Sequence, residues 1–211
     1  MKMSTDHLCG KVGILGGTFN PVHFGHIHLA QKALDTAGLD QVLFVPSGVS
    51  YMKDQREILP AKHRVQMVTL AVADYPYFEV SAIETEKEGN SYTHETIRAL
   101  QKRHPQAEFF FLTGADTLFS IESWKDPGSI FHSVTILAAC RIGASLQELK
   151  EQITHLHETY GADIRLIATD RIDISSSGIR EAICNGKPIS GLMPAAVEDY
   201  IVKHHFYEAG R

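Results

Sequence analysis

Short apolar runs alternate along the chain with longer stretches in which apolar positions recur every three or four residues. Lys11–Leu15 reads as a buried strand. Ile27, Leu29, Ala30, Ala33, Leu34 and Ala37 then fall at helical spacing, which predicts a helix starting near Gly25. Gln41–Val45 is a second strand, ended by Pro46-Ser47-Gly48. Ala61–Ala73 reads as a helix, Phe78–Ile83 as a weaker strand and Thr93–Arg103 as a helix. Phe109–Leu112 and Val134–Ala139 are buried strands, Leu146–Tyr160 is amphipathic and Ile164–Ile167 is strand-like. After about Asp173 the pattern turns helical, over Ser177–Asn185 and Ala195–His204. Strands separated by helices predict an α/β fold: a Rossmann-like, doubly wound parallel sheet with right-handed crossovers. We expect a single domain over residues 1–211, with a small helical C-terminal lobe from about 174 to 211. Such sheets place ligands at the C-terminal ends of their strands.

The segment Gly16-Gly17-Thr18-Phe19-Asn20-Pro21-Val22-His23-Phe24-Gly25-His26 lies between the first strand and the first helix. A strand, a glycine turn and a helix N-terminus together make an anion site. Backbone N–H groups and the positive end of the helix dipole both favour phosphate. Gly16, Gly17 and Gly25 admit phosphate oxygens close to the backbone, and His23 and His26 add two imidazoles. The plain alternative is a turn with two surface histidines. A metal site built on His23, His26 and His28 is a second, but no Cys or carboxylate sits nearby at ligand spacing, so no protein metal site is expected.

Further motifs follow. Ile174-Ser175-Ser176-Ser177-Gly178-Ile179-Arg180 offers N-caps, N–H groups and hydroxyls at a helix start, with Arg180 one turn inside and able to reach back to a phosphate. Gly114-Ala115-Asp116 follows a strand end, where a carboxylate can hold a ribose hydroxyl. Trp124, the only tryptophan, offers a flat face to an aromatic base. Asn90-Ser91-Tyr92-Thr93 opens a helix, as a cap, an anion site or both. Each also has an ordinary structural reading: a capped helix, a core tryptophan, a cap. His155, His157, His204 and His205 read as surface residues on helices.

Composition narrows the class. A chain of 211 residues, 44% hydrophobic and 21% charged, suits a soluble domain with a sizeable core. A net charge of −5 argues against bulk binding to nucleic acid or an anionic membrane, so any phosphate site is a local patch. Cys9, Cys140 and Cys184 are scattered and odd in number, which implies neither a disulfide framework nor a zinc cluster and fits a reducing cytoplasm. The N-terminal MKMSTDHLCG has no long apolar core, so no signal peptide is expected.

In these motifs and their order the chain resembles the nicotinate mononucleotide adenylyltransferases, within the nucleotidylyltransferases that carry an HxGH signature. The resemblance runs from Gly13 to about Tyr207. It implies transfer of AMP from ATP to nicotinate mononucleotide, giving deamido-NAD and pyrophosphate, with Mg²⁺ accompanying ATP. It assigns Gly16, Thr18, Phe19, His23, His26, Gly114, Asp116, Ser175, Ser176, Ser177 and Arg180 to ATP, with His23, His26 and Arg180 in catalysis. It assigns Gly17, Lys53, Tyr92, Thr93, Trp124 and Arg141 to the mononucleotide. In the family the tryptophan packs against the pyridine ring and the helix start at Tyr92-Thr93 receives the nicotinate carboxylate. Three departures stand out: Asn20 where the family often has Asp, Gly48–Lys53 in place of a Pro-Pro-His-Lys segment, and Ile142 in place of the proline after Arg141. The alternatives are a relative acting on nicotinamide mononucleotide or pantetheine phosphate, a silent nucleotide sensor, and a fragment of a class I aminoacyl-tRNA synthetase. Oligomeric state is open.

Overall fold

A computed structural model describes residues 8–49, 58–141, 146–170 and 173–209. Six parallel strands form one sheet: β1 (Gly10–Gly17), β2 (Gln41–Pro46), β3 (Phe78–Val80), β4 (Ala107–Gly114), β5 (Thr135–Arg141) and β6 (Ile164–Thr169), in the order β3-β2-β1-β4-β5-β6. The helices are α1 (Phe24–Ala37), α2 (Ala61–Val72), α3 (Thr93–Arg103), α4 (Pro127–Ser133), α5 (Leu146–Tyr160), α6 (Ser176–Cys184) and α7 (Ala195–His204). This is the Rossmann-like α/β architecture that the alternation of patterns predicts.

The central strands read as continuous apolar runs because both of their faces are covered. Side chains alternate between the faces. Leu15, Phe44, Phe110 and Leu112 join Ile27, Ala30 and Ala33 of α1, Met67 and Val68 of α2, Ile179 of α6 and Val197 and Ile201 of α7. Ile14, Leu43, Val45, Phe109 and Phe111 face the other way, toward Ile97 and Leu100 of α3 and Ile130 of α4. A third cluster seats α5, through Leu149 and Leu156, against Leu118, Ile121 and Ile136.

The third strand is shorter than its pattern. It ends at Val80, and the chain turns through Ala82 and Thr85. Helix α4 has no sequence expectation behind it; Asp126 caps it by accepting from Ser129 N–H, and Pro127 starts it. His204 is half-buried rather than on the surface, its ring stacked 5.2 Å from Phe206. His205 lies beyond the end of α7, as its C-cap.

The order of strands fixes where a ligand can sit. From β1 the chain moves to β2 on one side, whereas β4 pairs with β1 on the other. The reversal opens a crevice beyond the C-terminal ends of β1 and β4, at Gly17 and Gly114.

Gly13 shows why an apolar strand carries a glycine. A Cβ there would come within 2.8 Å of Leu112 Cδ1 and Leu39 Cδ1. Strand propensity favours valine over glycine, but overpacking in a filled core costs about 1–3 kcal/mol. Gly13→Val should therefore lower the urea midpoint without changing the m-value. A midpoint equal to or above that of the parent would show that the core has room.

Candidate active site

The loop from Thr18 to Val22 joins β1 to α1, and His23 is the N-cap of that helix in extended conformation. His23 Nδ1 accepts from Gly25 N–H at 3.1 Å, and His26 Nδ1 accepts from His23 N–H at 3.2 Å. This is a capping box made of imidazoles in place of the usual hydroxyl and carboxyl groups. The two rings lie 3.8 Å apart. Because each Nδ1 accepts, the proton of each neutral ring sits on Nε2. Burial lowers the His23 pKa to about 4, so this ring is neutral at pH 7. Gly25 is dictated by the same contact: a Cβ there would lie 2.9 Å from the His23 ring.

Two cavities flank this segment. The first, about 210 Å³, is lined by Gly16, Gly17 and Thr18 from the end of β1, by Thr93, Thr96 and Ile97 of α3, and by Trp124, Ser47 and Glu84. The second, about 500 Å³, is lined by His23, Gly25, His26 and His28 of the first helix region, by Gly114 and Asp116, and by Glu148, Thr169 and Asp170. The strand-to-helix segment thus touches both, its glycine end in one and its imidazoles in the other.

Several expected residues meet at this place. Gly16, Gly17, Thr18, Thr93 and Trp124 line the first cavity; His23, His26, Gly114 and Asp116 line the second. Trp124 follows a 3₁₀ turn over Ile121–Ser123; its ring meets Phe111 in a T-shaped contact, and its buried Nε1 has no hydrogen-bond partner among the described residues. Tyr92 is the N-cap of α3 and its side chain makes no capping bond.

Others make contacts within the protein. The Phe19 ring is 2% exposed, buried in the core, and meets the His26 ring edge-on at 4.9 Å, so it supports an imidazole rather than facing a cavity. Among the described lining residues of the two cavities, Ser175, Ser176, Ser177 and Arg180 do not occur. Ser175 caps α6 by accepting from Gly178 N–H, and its Oγ lies 3.2 Å from that of Ser177. Ser176 Oγ donates to the Pro21 carbonyl at 2.8 Å and Arg180 Nη1 to the Asn20 carbonyl at 3.1 Å. Ile174, just before them, does line the second cavity. Lys53 lies outside the described residues, and so does the side chain of Arg141, which closes β5.

Glu84 had no sequence signal. It is half-buried at the first cavity, accepts from Thr96 Oγ1 at 2.7 Å and from Gly48 N–H at 3.3 Å, and desolvation raises its pKa. Among the described residues no group of three or more His, Cys, Asp or Glu is arranged to hold a metal ion.

A family model described as cytidylyltransferase-like matches residues 14–182. The chain belongs to that family. A protein of Lachnoclostridium phytofermentans named a probable nicotinate-nucleotide adenylyltransferase is 40% identical over 197 residues, covering 93% of this chain and 98% of its own. One of Moorella thermoacetica with the same name is 40% identical over 199 residues, covering 94% of this chain and 92% of its own. Similarity of this extent makes the chain a member of the nicotinate-nucleotide adenylyltransferases, enzymes of the nucleotidyltransferase class. A solved structure of Plasmodium falciparum nicotinic acid mononucleotide adenylyltransferase complexed with NaAD shares the fold, with a TM-score of 0.76 at 19% identity over 94% of this chain and 97% of that one.

The buried neutral His23 has a consequence for stability. Its folded pKa, about 4, lies below the ordinary 6.5, so between those values the unfolded chain binds more protons than the folded one. Stability from this group is full above pH 6.5 and is lost as pH falls toward 4, by about 3 kcal/mol at most. His23→Asn keeps an N-cap and removes the titration. On acidification from pH 7.5 to 4.5 the parent should lose more stability than His23→Asn in urea titrations. Parallel losses would mean that His23 is not buried neutral.

Proposed function

We propose that this chain transfers the AMP part of ATP to nicotinate mononucleotide, forming deamido-NAD and pyrophosphate in NAD biosynthesis. One observation carries the reading: a single glycine-and-imidazole segment forms a wall of two adjacent cavities. One cavity has a tryptophan and a helix N-terminus, suited to a pyridine ring bearing a carboxylate. The other has imidazole N–H groups and a strand-end carboxylate, suited to a nucleoside triphosphate.

On this reading the 5′-phosphate of the mononucleotide attacks the α-phosphorus of ATP. One P–O bond forms, the bond to the β-phosphate oxygen breaks, and pyrophosphate leaves with the electron pair. No protein nucleophile takes part, so catalysis rests on alignment and charge stabilisation. His23 and His26 donate from Nε2 to phosphate oxygens. A bound phosphate raises the His23 pKa, because a nearby anion favours the charged ring. Arg180 gives one N–H to the loop, and a guanidinium has four others for the triphosphate. Ser175–Ser177 bring the start of α6 to the same place. Mg²⁺ would be held chiefly by the phosphates, with Asp116, Glu148 and Asp170 as the carboxylates that line the same cavity. It would neutralise charge on the leaving group.

In the first cavity Trp124 supports the ring and the N–H groups at the start of α3 receive the carboxylate. Glu84 favours a second acceptor, nicotinamide mononucleotide, since a carboxylate accepts from an amide NH₂. The substrates are small molecules in either case. Among the described residues no helix is long and apolar enough to cross a membrane. We place the enzyme in the cytoplasm as one domain.

The decisive assay incubates the protein with ATP, Mg²⁺ and each pyridine mononucleotide in turn and identifies the dinucleotide by mass. The nicotinate form should be preferred about 5- to 150-fold in kcat/KM, the worth of one unsatisfied buried donor. Equal values would remove the carboxylate role of α3. Folded His26→Ala should lose about 10²-fold in kcat, and turnover near that of the parent would remove His26 from the chemistry.

A further inference from the structure

The loop from Thr18 to Pro21 is held from behind by residues that line neither cavity. Arg64 of α2 donates from Nη1 to the Thr18 carbonyl and from Nε to the Leu59 carbonyl, both at 2.9 Å. It is 3% exposed, and among the described residues no carboxylate lies within 4 Å of it. Asn20 is 4% exposed, and its Oδ1 accepts both Leu59 N–H at 3.2 Å and Tyr207 O–H at 2.8 Å. Tyr207 lies beyond α7, with φ at +66° in the left-handed region. Such a conformation in a bulky residue persists only where its surroundings enforce it.

With no direct carboxylate partner among the described residues, and Glu84 acting on it only at longer range, this guanidinium bears a desolvation cost that a neutral or apolar residue would avoid. Its position gives it another use. Thr18 lines the first cavity while its carbonyl takes the charge of Arg64. The Thr18 and Asn20 carbonyls of the loop are thereby turned to the guanidinium groups of Arg64 and Arg180.

We propose that Arg64, Asn20 and Tyr207 are positioning residues for phosphoryl transfer: they lock the Thr18–Pro21 loop so that the imidazoles after it meet the phosphates in register, which makes the C-terminal segment part of the catalytic apparatus. This rests on the adenylyltransferase reading, and it concerns residues that touch no substrate.

Tyr207→Phe removes one hydroxyl and keeps the ring, so the protein should fold. Its kcat should fall about tenfold, the effect of losing one buried hydrogen bond, while KM for the mononucleotide stays within about twofold because uniform binding is untouched. Asn20→Asp keeps an acceptor for both bonds and should retain more of kcat than Asn20→Ala. Asn20→Ala should lose it as Tyr207→Phe does. Because the two residues share one bond, Asn20→Ala with Tyr207→Phe should be no slower than Asn20→Ala alone. Arg64→Lys keeps the charge, loses the two-pronged contact and should also lower kcat about tenfold. A merely structural role predicts lower Tm with parental kcat in the folded protein, and that result overturns the proposal, as would fully multiplicative losses in the double variant. If the parent itself forms no dinucleotide, the adenylyltransferase reading falls instead.

Discussion

The reciprocal cap at the start of α1 is the constraint on which the site depends. A helix leaves its first N–H groups unpaired, and a chain normally satisfies them with hydroxyls or carboxylates. Here His23 and His26 do so through Nδ1. That choice has two consequences that a serine cap would lack. The rings are fixed by the backbone as well as by the Phe19 side chain, and each keeps its N–H at Nε2. Gly25 follows from the same geometry, because His23 occupies the space of its Cβ. The HxGH spacing is therefore a capping motif as much as a binding motif.

The cap alone leaves the preceding loop undetermined. Its carbonyls at Thr18, Asn20 and Pro21 are taken by Arg64, Arg180 and Ser176. These donors come from α2 and α6, and Tyr207 beyond α7 adds a fourth hold at Asn20. The C-terminal helices also share the core face of α1, through Ile179, Val197 and Ile201. Packing and hydrogen bonding thus act together: apolar burial brings α6 and α7 under the loop, and polar contacts then set its orientation.

How far this was legible in the sequence varies with the range of the interaction. Val12–Leu15 and Phe109–Leu112 announce themselves because burial on two faces leaves an unbroken apolar run. The Gly16–His26 segment is legible because a strand end, glycines and a helix start are neighbours in sequence. Arg64 and Tyr207 are not, since a contact from α2 to the Thr18 carbonyl, or from beyond α7 to the Asn20 side chain, leaves no local pattern. Phe19 misleads for a related reason: it lies inside the motif, but its ring turns to the core and supports His26. The serine run reads as a phosphate grip, whereas Ser176 spends its hydroxyl on Pro21. Asn20 departs from the family's usual Asp, and its Oδ1 receives the Leu59 and Tyr207 donors, a task that a carboxylate oxygen can also perform.

Three helix starts approach the crevice, and they differ in how they are capped. His23 caps α1 and Ser175 caps α6, whereas Tyr92 makes no side-chain bond to α3. Helices α2 and α7 also lack side-chain caps, but they follow Pro60 and Pro194, which have no capping group to offer, and no residue of either lines these two cavities. At α3 the first helical residue, Thr93, stands on the wall of the first cavity. A ligand carboxylate there would play the part of the missing cap: an acceptor for the first N–H groups, at the positive end of the helix dipole. Glu84, close by, is already engaged by Thr96 and Gly48 on the flank of the helix and is held toward its neutral form by burial. Its oxygens are spent on those two donors, so the carboxylate of a ligand, rather than Glu84, is left to meet the first N–H groups of the helix.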